Sequence, residues 1–191
     1  MRSSTIAAVQ RWLWSCALLL PGLLAAQEAK LVEREGRVVV TTFGAKATPA
    51  VVGIPLTARD KLGTGESSRA VLKMSGKWFA RIDEETDVEI MAAAFGAKDK
   101  EALKIALGGA FVYSREEEGE LKVQTPTATG GLRGTQLIVR VSADGKTFMQ
   151  VLEGEVDLAN DLGRVLLKAG EAGEAETGQA PRKTAAIDAR N

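Results

Sequence analysis

Histidine is absent from this 191-residue chain, and cysteine occurs once, at Cys16. Without an imidazole there is no Ser-His-Asp or Cys-His nucleophilic site and no histidine-liganded metal centre. A single cysteine cannot close an internal disulfide or build a cysteine-rich zinc site. A surplus of one charge is also missing: 25 basic residues stand against 25 acidic ones, so the polycationic signature of a nucleic-acid binder is not there. What survives is carboxylate chemistry, a Ser or Lys nucleophile lacking an imidazole base, or no chemistry at all. No cofactor or metal set is expected. The length suits one domain, alone or with appendages, and is enough to bury a core.

The N-terminus reads as an export leader. Arg2 and Arg11 precede an apolar run from Trp12 to Ala26, broken by Ser15 and Pro21-Gly22, and the small pair Ala25-Ala26 then meets polar Gln27-Glu28. A basic start, a short apolar stretch and a small-residue exit are the parts of a secretory signal peptide. The run spans about 15 residues, fewer than the roughly 20 of a spanning helix, so residues 1–26 are expected to be a cleaved leader rather than a stable membrane span. Cys16 sits near the beginning of the run, where a lipobox cysteine does not belong. Cleavage after Ala26 leaves 23 basic and 25 acidic residues and no cysteine, which suits a periplasmic or secreted protein.

Past Lys30 the apolar residues recur at period two. Ala70, Leu72 and Met74 alternate with Arg69, Val71 and Lys73; Val88 and Ile90 with Asp87 and Glu89; Leu103, Ile105 and Leu107 with Lys104 and Ala106; Leu137, Val139 and Val141 flank Ile138 and Arg140. Alternation of this kind puts one strand face on a core and the other in water. Glycines punctuate nearly every segment, several of them at strand entries, as at Gly36, Gly109, Gly154 and Gly163. The expected fold is all-β, a single domain of short strands in two layers or a short β-solenoid-like arrangement. Ala143-Asp144-Gly145-Lys146 predicts a hairpin, with Asp-Gly favouring a type I′ turn. Met91–Lys100 predicts a loop, and the small and charged residues from 174 to 191 predict a disordered tail.

Two stretches carry a resemblance. Gly53-Ile54-Pro55-Leu56 leads through Asp60-Lys61-Leu62-Gly63-Thr64-Gly65 to Ser67-Ser68-Arg69-Ala70-Val71-Leu72 and a turn at Ser75-Gly76. Val123-Gln124-Thr125-Pro126 is followed by Leu132-Arg133-Gly134-Thr135-Gln136-Leu137, by Val151-Leu152-Glu153-Gly154-Glu155-Val156 and by Leu167-Lys168-Ala169-Gly170-Glu171. Together, over residues 31–173, these resemble the FecR domain, the periplasmic part of the regulator of ferric citrate uptake. The resemblance implies a non-catalytic binding or signalling module of the cell envelope with a protein partner. A full regulator of that type carries a cytoplasmic anti-sigma segment and a membrane span before the domain. Here a leader-like stretch precedes it, so the chain resembles the sensing half, and relay to a sigma/anti-sigma system is the narrower alternative.

Individual residues admit sharper and plainer readings. Arg133-Gly134-Thr135 is a strand entry around a special glycine, or places Arg133 on a carboxylate, internal or a partner's. Thr64-Gly65-Glu66-Ser67-Ser68 is a turn, or a nest of backbone N–H groups facing an anion. Exposed edges and loops at Gly63, Thr64, Gly65, Ser67, Arg133, Gly134 and Thr135 are the expected partner contacts. The acidic run 115–120 reads as a solvated hairpin tip rather than a cation site. Asp83, Glu84, Glu85 and Asp87 are the carboxylates that a hydrolase of the envelope, the competing class, would have to use. Trp78-Phe79, after the Ser75-Gly76 turn, is a ligand contact or a core pair, and at least one of the two rings is expected to be buried.

Overall fold

The structure is a computed structural model that describes residues 29–74, 78–91, 101–114 and 120–187. The leader with Cys16, the turn at Ser75-Gly76, the loop expected after Met91 and the acidic residues 115–119 lie outside the described residues. Every regular element among the described residues is a strand. In chain order these are β1 (Ala29–Glu35), β2 (Val38–Thr41), β3 (Thr48–Pro49), β4 (Pro55–Leu56), β5 (Lys61–Thr64), β6 (Arg69–Met74), β7 (Trp78–Ile82) and β8 (Asp87–Met91). They continue with β9 (Glu101–Ser114), β10 (Glu120–Gln124), β11 (Thr129–Val141), β12 (Thr147–Asn160), β13 (Gly163–Lys168), β14 (Ala172–Ala175) and β15 (Arg182–Thr184).

All fifteen belong to one continuous sheet. Three long strands change neighbours half way along and so fold that sheet in two. β9 pairs with β8 up to Leu107 and with β7 and β11 from Gly108 onward. β11 pairs with β10 through Thr129–Arg133 and with β9 through Gln136–Val141. β12 pairs with β14 through Thr147–Gln150 and with β13 through Glu155–Asn160. One arm therefore runs β4-β1-β6-β7-β9-β11-β12-β14-β15, and the other β3-β2-β5-β8-β9-β10-β11-β12-β13.

The arms share one core, with Leu31, Leu72, Ile82 and Val112 from the first and Leu62, Ile105, Leu121 and Leu158 from the second. Their contact is close at Gly173 on β14, where a Cβ would lie 3.0 Å from Leu167 on β13. Keeping apolar side chains inward on both arms requires each long strand to change phase where it bends. β9 buries Leu103 and Ile105, then Ala110 and Val112; β11 buries Leu132, then Leu137 and Val139; β12 buries Met149 and Val151, then Val156 and Leu158. A glycine with positive φ stands at each change: Gly108 at 89°, Gly134 at 54° and Gly154 at 78°. Glycine enters that region without the steric cost of a Cβ. At two of the three bends space demands glycine as well. A Cβ on Gly108 would sit 2.2 Å from Thr86 Oγ1, and one on Gly154 2.4 Å from the Gly134 carbonyl oxygen.

Along one rim of the folded sheet, the crossings β1–β2, β5–β6, β7–β8 and the β9 bend lie side by side, stitched by buried hydroxyls. Ser68 Oγ accepts the Arg37 N–H at 2.8 Å and donates to the Glu66 carbonyl. Thr64 Oγ1 donates to the Asp83 carbonyl at 2.5 Å and accepts the Thr86 N–H at 3.0 Å. Thr86 Oγ1 accepts the Gly109 N–H at 2.9 Å and donates to the Glu84 carbonyl. The row continues where Thr147 Oγ1 donates to Thr125 Oγ1 and Thr127 Oγ1 reaches the Ala175 carbonyl. These hydroxyls satisfy backbone groups that the change of arm takes out of the strand ladders.

Two expectations are corrected. Only Gly145 of the Asp144-Gly145 pair has positive φ, and the Gly145 N–H donates to the Ser142 carbonyl at 2.8 Å. The hairpin is thus a three-residue loop ending on a left-handed glycine, not a type I′ turn. Asp144 caps it: the Ser142 hydroxyl, then the Lys146 N–H, hold its carboxyl below the usual range. The tail expected from residue 174 is ordered as far as Ile187, because β14 pairs with β12 and β15 with β14. Polar contacts do what apolar burial could not. Arg182 contacts Glu174 and Glu176, Lys183 meets Glu171 at 2.6 Å, and the buried Gln150 amide donates to and accepts from the Ile187 backbone.

Candidate functional site

The stretches singled out from the sequence fall on opposite rims. Gly63, Thr64 and Gly65 close β5 and enter the hydroxyl-stitched rim. A Cβ on Gly63 would lie 3.0 Å from Asp87 Oδ1, and one on Gly65 2.7 Å from Arg37 Nε, so both glycines admit close neighbours. Thr64 spends its hydroxyl inside, whereas Ser67, at φ 50°, is exposed and donates its N–H to Glu84 Oε2 at 2.7 Å. Gly134 marks the β11 bend on the other rim. Thr135 is buried there, its hydroxyl between Arg133 and the Glu155 carbonyl. Arg133 is exposed and pairs with Glu120 at 3.0 Å, so its guanidinium has an internal carboxylate. Ser67 and Arg133 line two different grooves.

The carboxylates of the hydrolase alternative are spread along the β7–β8 crossing. Asp83 lies over Gly109, where a Cβ would come within 2.8 Å of its Oδ2; Glu84 holds Ser67; Asp87 faces Gly63. Among the described residues, no group of three or more Asp, Glu, His or Cys side chains is placed to hold a metal ion.

The larger groove, about 1720 Å³ and open, lies on the outer face of the first arm. The residues that shape this face come from the strand phase opposite to the core. Trp78, Ala80 and Ile82 of β7 point inward, which turns Phe79 and Arg81 out; Ala110 and Val112 of β9 point inward, which turns Phe111 and Tyr113 out. Cross-strand register aligns them in rows: Lys73 opposite Phe79 and then Tyr113, and Val71 opposite Arg81, then Phe111 and Ile138. Phe79 stacks on Tyr113 at 5.4 Å and 15°, and Tyr113 on Phe111 at 5.2 Å and 21°. Lys73 Nζ stands 6.0 Å from the Phe79 ring centre, closing one end of the stack. Arg81 and Arg140 are exposed and have no ion-pair or hydrogen-bond partner among the described residues. Of this face sequence reading singled out only Phe79, paired with Trp78, which is buried; the rest of its signal lay in aromatic and Arg residues occupying the non-core phase of two adjacent strands.

The second groove, about 650 Å³, lies on the outer face of the other arm and is lined by Lys122, Gly131, Arg133, Asp157 and Arg164. Its charges alternate in sign, and Arg164 already faces Asp157 at 3.7 Å. Among the described residues no helix is long and apolar enough to cross a membrane.

Comparison with known proteins gives three findings. No curated protein matches the chain. Two crystal structures of a putative anti-sigma factor from Parabacteroides distasonis ATCC 8503, at 2.50 and 1.65 Å resolution, are similar in fold, each with a TM-score of 0.55 at 16% identity. The match covers 65% of this chain and 59% of that one, so this chain spans well under two thirds of its neighbour. The FecR protein family model matches residues 60–157, from the buried Asp60 ahead of β5 through the bends at Gly108, Gly134 and Gly154 into β12. On that match over half its length, the chain belongs to the FecR protein family.

Proposed function

We propose that this chain is an exported, non-catalytic binding module of the bacterial cell envelope that acts by holding a protein partner. The observation that carries the reading is the family match over 60–157, which takes in β5 to β11 and most of β12 with the three bends. FecR proteins are envelope-associated signalling proteins. The leader-like residues 1–26 support export, and the poor acid-base inventory of a chain without histidine supports binding over turnover. Contact through the rims at Gly63–Ser67 and Arg133–Thr135 belongs to this reading. The experiment is crosslinking in intact cells with an affinity-tagged chain, followed by mass spectrometry of the adduct and of the tagged protein itself. One recurrent envelope protein is expected, on a chain whose mature N-terminus is Gln27. An uncleaved chain that stays in membranes after a carbonate wash contradicts release, and absence of any recurrent adduct contradicts binding.

A narrower reading makes the module a relay from an outer-membrane receptor to a sigma/anti-sigma system. The family and the anti-sigma name of the structural neighbour favour it. Deleting the gene should then change expression from promoters of one alternative sigma factor, and an unchanged transcript profile sinks this version alone.

A further inference from the structure

We propose that β13 is an edge at which two copies of this chain pair antiparallel, about a two-fold axis at Val165. The inference goes beyond the binding-module reading and does not depend on it. Among the described residues four strands have a neighbour on one side only: β3, β4, β13 and β15. Three of them offer little to an incoming strand. β3 and β4 are two residues long and contain Pro49 and Pro55, and β15 is three residues long and follows Pro181. β13 has six residues and no proline. An edge of that length with unpaired backbone groups is a template for another strand.

The direction of the backbone groups decides which are free. The Ala169 N–H donates to the Gly154 carbonyl of β12 at 3.1 Å. By alternation Gly163, Val165 and Leu167 also face β12, while Arg164, Leu166 and Lys168 turn N–H and C=O outward. Lys168 is already spent. Its N–H donates to Glu171 Oε2 at 2.9 Å, and its carbonyl accepts the Glu171 N–H at 2.8 Å. The outward groups of Arg164 and Leu166 have no partner among the described residues. Neighbouring chain lies under the inner face of β13 rather than along its edge: a Cβ on Gly163 would meet Ala180, and Leu167 packs over Gly173.

These free groups select one register. With Val165 on the axis, Arg164 of each copy stands opposite Leu166 of the other, and the outward groups of both copies close four hydrogen bonds with none left over. Side chains agree. The Arg164 stem crosses exposed Leu166, Lys168 falls opposite exposed Leu162, and the two Val165 side chains, packed against the core, meet on the inner face. An axis at Leu166 would call on the spent groups of Lys168 and set that lysine against Arg164. An axis at Arg164 would oppose two arginines and call on Leu162, whose N–H already donates to Asn160 Oδ1 at 2.9 Å. Like charges directly opposite are destabilising. A patch that satisfies itself under two-fold rotation fits a second copy as its occupant. The ladder is short, so the association is reversible and depends on concentration.

The test is sedimentation velocity of the purified mature chain over about a thousandfold range of concentration, where a monomer–dimer equilibrium is expected. Leu166→Pro removes an outward N–H, and with it two of the four bonds, but no bond within the chain. It should weaken the dimer about tenfold at an unchanged thermal midpoint. If that variant misfolds, Arg164→Pro removes the other outward N–H in its place. Single cysteines report the register, because the chain has no cysteine beyond Cys16. Val165→Cys should cross-link to itself on oxidation about tenfold faster than exposed Leu166→Cys, since only the residue on the axis meets its own copy. A chain that stays monomeric throughout overturns the proposal. So does a dimer indifferent to both proline variants, or faster cross-linking of Leu166→Cys or Arg164→Cys. Val165→Cys oxidised in intact cells should give the homodimer, and a mixed adduct with another protein in its place overturns the second copy as occupant.

Discussion

Glycines at the bends and threonines on the rim hold the two arms in register, and they do so by different physics. At Gly154 any side chain meets both a positive φ and a carbonyl oxygen 2.4 Å from its Cβ. Gly154→Ala should therefore cost on the order of 3 kcal/mol in urea denaturation, from backbone strain plus a clash with a main-chain atom that cannot swing away. Gly131, exposed in the groove on the outer face of the second arm with nothing within 4 Å of its Cβ, is the matched control. Its alanine variant should stay within about 0.5 kcal/mol of the parent. Thr86 tests the hydroxyls. Thr86→Val keeps the shape but leaves the buried Gly109 N–H without its acceptor, which should cost about 1–3 kcal/mol by the same measurement. A valine variant as stable as the parent would mean that water or a shifted backbone replaces the bond.

At the scale of elements, β14 and β15 are secured by ions as well as by ladder bonds. Lys146 lies 2.9 Å from Glu174 and 2.8 Å from Glu176, and Arg182 contacts the same two carboxylates. Bonding to Lys146 is the leading cause that lowers the carboxyls of Glu174 and Glu176, and bonding to Lys183 that of Glu171. A carboxyl lowered on folding contributes stability that is fully present above its unfolded value and is lost as pH falls through the folded one. The two glutamates raise Lys146, whose share is present below the usual lysine value and fades as pH rises past the raised one. Hydrogen exchange over 172–184, corrected for intrinsic rates, should accelerate at pH 4 relative to pH 7, and high salt should mimic it in part because the pairs are exposed. Equal protection at both pH values would assign these strands to their backbone bonds alone.

The bends show what a single sequence conveys about the whole molecule. Alternation placed β6, β8 and the halves of β9 and β11 because each half keeps one phase. Leu107, assigned to the core by the same alternation, is 36% exposed, since a register shift between Asp87 and Val88 precedes it and the phase inverts after Gly108. That inversion, and the doubling of one sheet into two arms, depends on long-range pairing that local pattern does not encode. The ordered C-terminus was hidden for a related reason: its partners, Lys146 and Gln150, are 26 or more residues away in sequence. Of the site, the glycine-rich turns were legible as turns, while the aromatic column exists only once β7, β9 and β11 lie side by side. At this scale the prediction for spectroscopy is a far-UV circular dichroism spectrum without helical minima, and clear minima near 208 and 222 nm would contradict the all-β framework.

We propose that this FecR-family chain works by holding a protein rather than by transforming one. The most direct measurement mixes the purified mature chain with the partner captured in cells, then follows both by size-exclusion chromatography with intact-mass detection over hours. One stable complex is expected, in which both masses stay unchanged. A partner whose mass shifts in the presence of the chain, with the shift abolished by replacing Asp83 or Glu84, would contradict it.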